Sequence, residues 1–124
     1  MGKQNVLKEK TLSFALRVVK AYKYLVKEKG EFVLSKQLLR CGTSVGALVR
    51  EAEYAQSTLD FINKMSIALK EANETEYWLI LLKESEYIEE DVYLSIINDC
   101  QELLKLLIST INTSKNKLNK NKTH

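Results

Sequence analysis

The chain has no proline and only four glycines in 124 residues. Ordinary usage, about 5% proline, would supply roughly six. Turn-rich β-sandwiches and α/β domains with many loops use both residues as punctuation, so their scarcity points to a few long helices and few connections. Histidine occurs once, as His124. That excludes Ser-His-Asp and Cys-His catalysis, and it excludes the Glu-x-x-His pairs of a ferritin-like di-iron site. Cysteine occurs twice, at Cys41 and Cys100, with no Cys or His close by, so neither a zinc site nor a disulfide framework is indicated. No run approaches the ~18 uncharged apolar residues of a membrane span, and Met1–Asn5 lack the apolar run of a signal peptide. The expectation is a cytoplasmic protein with no membrane contact.

Apolar residues make up 45% of the chain and charged residues 28%, enough for one domain with a packed core. The net charge of +3 hides a division. Residues 1–50 hold 11 Lys+Arg against 3 Asp+Glu, residues 51–114 hold 4 against 13, and residues 115–124 add four lysines and no acid. Such a chain either pairs its own halves across helices or shows a basic surface to an acidic partner.

Hydrophobic spacing predicts an all-α protein, an antiparallel up-down-up-down four-helix bundle with helices at about 10–29, 33–55, 57–86 and 89–113. Residues 1–113 form the bundle domain, and the Lys- and Asn-rich segment 114–124 reads as a disordered basic tail. In the first helix Leu12, Phe14, Ala15, Val18, Val19, Ala21, Tyr22, Leu25 and Val26 fill about half the helical wheel, wider than the ~100° stripe that one neighbour requires. Gly30 ends it. The second helix carries Leu34, Leu38, Cys41, Val45, Leu48, Ala52 and Ala55 at alternating steps of four and three, a bundle seam. Cys41 is therefore expected in the core. Gly42 and Gly46, one turn apart on this helix, let a neighbouring helix approach closely. Ser57 to Asp60 has capping-box spacing and opens the third helix, with Phe61, Met65, Ala68, Ala72, Thr75, Leu79 and Leu82 inward. Glu89, Glu90 and Asp91 suit the positive N-terminus of the fourth helix. Its inward set is Val92, Ile96, Cys100, Leu103, Leu107 and Ile111, widened by Ile97, Leu104 and Ile108.

Glu71 and Glu74 have the spacing of two inward carboxylates, but no histidine accompanies them, so pairing with Arg or Lys is expected and no metal or cofactor is. Gly42-x-x-x-Gly46 lacks the Lys-Ser/Thr ending of a phosphate loop. No catalytic constellation emerges, and an enzyme is not expected. The candidate functional surface is the outer face of the first helix, where Arg17, Lys20, Lys23 and Lys27 recur every three or four residues. Such a stripe meets nucleic-acid phosphates with little sequence reading, or it is a solvated face. A second candidate is an inter-helix polar network of Arg40, Ser44, Arg50, Glu51, Glu71 and Glu74. Structural pairing is its simpler reading, and a polar pocket between helices is the alternative.

Several ordered motifs add a resemblance. Gln37-Leu38-Leu39-Arg40-Cys41-Gly42-Thr43-Ser44-Val45-Gly46-Ala47 with Arg50-Glu51-Ala52, then Asp60-Phe61-Ile62, Ile67-Ala68-Leu69-Lys70-Glu71-Ala72 and Glu74-Thr75-Glu76-Tyr77-Trp78-Leu79, resemble the second and third helices of a four-helix bundle family named for the 23S rRNA intervening sequence. The resemblance spans about residues 5–110 and implies a homo-oligomer, often a pentamer, without known catalysis. The fold is also similar to that of retroelement accessory variability proteins, basic pentamers that bind nucleic acid and a reverse transcriptase. Leu48 stands where the family usually has Asn, so packing replaces a polar contact there. The expected function is a non-enzymatic assembly module with weak RNA or DNA binding. The alternative is a protein–protein interaction scaffold, such as an accessory subunit of a nucleic-acid enzyme.

Overall fold

Four helices carry the chain: α1 (Gly2–Lys29), α2 (Leu34–Ala52), α3 (Thr58–Glu84) and α4 (Glu90–Lys122). They are seen in a computed structural model that describes residues 2–122. Each helix packs on its two neighbours in the order α1, α2, α3, α4 and back to α1, and among the described residues the backbones of the diagonal pairs do not come close. The result is the expected up-down-up-down bundle. The α1–α4 seam is the loosest of the four.

The helix bounds differ from the expected ones at three places. α1 begins at Gly2, well before residue 10. Leu7 and Thr11 are fully or nearly fully buried, and with Phe14, Val18, Ala21 and Leu25 they make one seam in steps of four and three. The Thr11 hydroxyl donates to the Leu7 carbonyl at 2.7 Å, so a polar residue sits in the core at no hydrogen-bonding loss. α2 stops at Ala52, and residues 53–57 form the link. α4 continues to Lys122, where a disordered tail was expected after 113. Thr110 and Ile111 are buried, and Leu118 packs against the core, so the apolar repeat outlasts the point where lysine and asparagine become frequent. The last two residues of the expected tail, including His124, lie outside the described residues.

Inside the seams, Val49 is buried and Leu48 half-buried, and likewise Ile62 is buried and Phe61 half-buried. Val92, expected inward, is 48% exposed. Cys41 and Cys100 are buried as expected. The glycine pair works as anticipated on one of its two members. A Cβ at Gly42 would meet both Val18 methyl carbons at under 3 Å, whereas one at Gly46 would stand 3.4 Å from Thr11. α1 and α2 touch most tightly at Gly42.

The helix ends are satisfied locally. Gly30, at φ 62°, turns the chain out of α1. The Glu31 carboxylate then caps α2, accepting from the backbone N–H groups of Val33, Leu34 and Ser35 at 3.2, 3.0 and 2.7 Å. Ser35 returns a hydroxyl bond to the Glu31 carbonyl at 2.7 Å. Burial pushes the Glu31 pKa up, but the backbone donors outweigh it and hold the group below the usual carboxylate range. α3 opens on the expected box: Ser57 Oγ accepts from Asp60 N–H at 3.0 Å, and Asp60 accepts from Gln56 N–H at 3.1 Å. α3 closes with Glu86 in the left-handed region at φ 64°, the Tyr87 N–H returning to the Leu82 carbonyl at 2.9 Å.

Candidate functional site

The outer face of α1 is set by the same wheel that buries its seam. Lys20, Lys23 and Lys27 fall opposite the core residues, are exposed, and make no ion pair among the described residues. Arg17 departs from this stripe. It turns toward α4, where one guanidinium nitrogen lies 2.5 Å from Asp99 Oδ2 and the other donates to Ser95 Oγ at 3.1 Å. Its position on the wheel puts it over the neighbouring helix, so it braces the loose α1–α4 seam and is not a fourth free cation. Lys10 does the same about two turns earlier, 3.1 Å from Glu102, and Lys8 reaches Glu53 after α2 at 2.7 Å. The charge division of the chain is thus partly consumed inside the subunit. What remains uncompensated on α1 is the Lys20–Lys27 half.

Beside that half lies an open groove of about 420 Å³ between α1 and the start of α4. Ala21, Ile88, Val92 and Ile96 give it apolar walls, and Arg17, Lys20, Tyr24 and Glu89 supply its polar edges. Tyr24 is 40% exposed and makes no hydrogen bond or ring contact among the described residues. The groove lies along the α1–α4 seam, the loosest of the four, with Ala21 of α1 and Val92 of α4 both lining it.

The polar network on α2 and α3 forms in part. Arg40 reaches Glu71 at 3.3 Å and also pairs closely with Glu74. Burial works against the Arg40 charge, and the two carboxylates outweigh it, so its pKa is raised. Trp78 Nε1 donates to Glu74 Oε2 at 3.0 Å, and Arg40 Nε donates to Gln37 at 3.4 Å. Ser44 serves its own helix, donating to the Arg40 carbonyl at 2.6 Å. Arg50 and Glu51 are exposed and stand outside the cluster, because they lie about three turns along α2 from Arg40, the residue that meets Glu71 and Glu74. The cluster is a tie between α2 and α3, with its donors and acceptors used on one another. Gln37 shares one helix line with Arg40 in the sequence, and the Arg40–Glu71–Glu74 pairing is the expected one, whereas Trp78 is a member that residue spacing does not indicate.

The remaining chemistry is muted. Burial pushes the Cys100 thiol up to about 12 and raises Cys41 as well, and a protonated thiol is a poor nucleophile and ligand. Among the described residues no group of His, Cys, Asp and Glu is placed to hold a metal ion, and no helix is long and apolar enough to cross a membrane.

Large apolar side chains are nonetheless left outside. Leu12 and Leu16 on α1 are 49% and 63% exposed. Tyr77 and Ile80 on α3 and Leu94 and Ile108 on α4 are exposed as well.

Comparison with known proteins places this architecture. A family model described as 23S rRNA-intervening sequence protein matches residues 3–109. Among solved structures, the chain is similar to a Bacteroides thetaiotaomicron protein of unknown function from the S23 ribosomal protein family. The two share 64% identity and a TM-score of 0.88, over 89% of this chain and 98% of that one. No curated protein matches.

Proposed function

The chain belongs to the 23S rRNA-intervening sequence protein family, and we propose that it is a non-enzymatic assembly module, a cytoplasmic homo-oligomer that binds RNA or DNA weakly through the outer face of α1. The observation that carries the binding is the contrast within one helix. Lys8, Lys10 and Arg17 are paired to acids of the same subunit, whereas Lys20, Lys23 and Lys27 are exposed and unpaired among the described residues. Cations left over after internal pairing are what phosphate contacts use, and they give affinity that falls with salt. Gel shifts at low and moderate salt test it. The wild-type protein is expected to retard nucleic acid at low salt, and the variant K20E/K23E/K27E is not; retardation indifferent to the reversal overturns the reading.

Self-association is supported separately. Leu12 and Leu16 on α1 and Tyr77, Ile80, Leu94 and Ile108 on α3 and α4 are large apolar side chains left exposed on the subunit, the kind of surface that a second copy can cover. A basic α1 face and an acidic second half allow one copy to meet the next with opposite charge. The family resemblance favours a pentamer. Light scattering is expected to return a multiple of the 14.3 kDa subunit mass; a monomer mass at micromolar concentration refutes it.

The second reading is a protein-interaction scaffold. Its support is the same exposed apolar set, which suits a protein partner better than a polynucleotide. Capture of a defined protein partner that leaves no nucleic acid in the complex favours it.

A further inference from the structure

We propose that the groove between α1 and the start of α4 receives an unstacked base of a single-stranded nucleic acid whose phosphates run along Lys20, Lys23 and Lys27. This rests on the nucleic-acid reading of the same face and adds the kind of strand it prefers. Lys20, Tyr24 and Lys27 follow at steps of four and three, so a half-exposed aromatic ring stands between two cations on one line of the helix. Aromatic rings interleaved with cations are how single strands are held without sequence reading, the ring taking a base face and the cations taking phosphates.

Tyr24 forms no hydrogen bond or ring contact among the described residues, yet it borders the groove. The groove itself, about 420 Å³, falls in the size range of small-ligand clefts, about 300–1,000 Å³. Its walls, Ala21, Ile88 and Val92 among them, offer apolar contact to a planar ring.

Charge gives the strand a side. Glu89 edges the groove just before α4, followed by Glu90 and Asp91 in its first turn, and these acids repel phosphate from that lip. The backbone is therefore confined to the lysine lip of α1, with the base pointing across it. A duplex has no free base face to offer Tyr24, so it gains only the phosphate contacts. Its higher charge density does not replace the lost stacking.

The test is fluorescence anisotropy at low salt with labelled single strands of about 15 nucleotides, oligo-dT and oligo-rU, and with a DNA duplex of the same length. The wild type is expected to bind the single strands about tenfold more tightly than the duplex. Y24A should lose about tenfold on single strands and nothing on the duplex, a size set by the usual worth of one base–aromatic stack. Y24F, which keeps the ring, should bind as the wild type does, and this separates ring loss from any change in folding. The dT and rU arms show which sugar is preferred, and tighter binding of either over duplex supports the proposal. Equal binding of single strand and duplex, with Y24A inert, overturns the base-in-groove proposal and leaves the phosphate reading standing. No binding of any probe by the wild type overturns both.

Discussion

Replacing Glu31 with alanine is expected to lower the unfolding free energy by about 2–3 kcal/mol, more than an ordinary cap substitution. Glu31 as a residue is only 7% exposed, and its carboxylate takes three backbone N–H groups at the start of α2. An ordinary Ser or Asp cap satisfies one or two. Alanine leaves the buried Ser35 N–H and two part-buried N–H groups without this partner, and an unpaired buried donor costs about 1–3 kcal/mol unless water reaches it. The effect also depends on pH in a defined direction. The native Glu31 pKa lies below its unfolded value, so the unfolded chain binds the proton more readily. The stabilisation is complete above the ordinary glutamate range and is lost as pH falls through the lower native pKa. Denaturant unfolding of wild type and E31A should therefore differ most at neutral pH and converge in acid. A constant difference down to pH ~3 would show that the charge plays no part.

The second large effect separates two glycines that look alike in the sequence. Gly42→Ala is expected to destabilise by about 1–2 kcal/mol, whereas Gly46→Ala is expected to be neutral or to stabilise by up to about 0.5 kcal/mol. Alanine gains about 1 kcal/mol of helix propensity at either position. At Gly42 the new methyl would stand 2.8 and 2.9 Å from the two Val18 methyl carbons and 3.3 Å from its Cβ. Valine has one favoured rotamer in a helix and cannot swing away, so the α1–α2 pair must part. At Gly46 the nearest atoms, the Cβ and Oγ1 of Thr11, are 3.4 Å away, and a shift of a few tenths of an ångström suffices. The double variant V18A/G42A should recover most of the loss. Thermal unfolding of the four proteins measures this, and a G42A protein as stable as wild type would contradict the close approach.

These cases also show what residue order makes legible. The seams of α2 and α3 are local patterns of apolar side chains, and the expected positions were right within one residue: Val49 beside Leu48, and Ile62 beside Phe61. The capping box at Ser57 and Asp60 is a short-range motif and formed as spaced. The start of α1 was hidden because Lys8, Glu9 and Lys10 separate Leu7 from the apolar run, and because the buried Thr11 counts as polar until its hydroxyl bond to Leu7 is seen. Glu31 was missed because it caps from outside the usual position, and Val33 next to α2 carries no capping side chain. Arg17 is the instructive functional case. Periodicity alone aligns it with Lys20 and Lys23, but its partner Asp99 lies 82 residues on, and only the α1–α4 register shows that the charge is spent. The same register opens the groove next to Tyr24, which no local motif announces. Arg40 with Glu71 and Glu74 was recoverable because complementary charges sit on consecutive helices, whose antiparallel pairing is already implied by the short link.

The central claim is that the uncompensated lysines of α1 form a phosphate-binding surface, and the salt dependence of single-strand binding tests it most directly. Three phosphate contacts predict a log–log slope of affinity against salt of roughly −2 for a single strand. K20E/K23E/K27E should bring affinity at low salt to the detection limit and leave no measurable slope, with the helical content of the bundle unchanged. Binding by the triple variant with the wild-type affinity and slope would contradict the account.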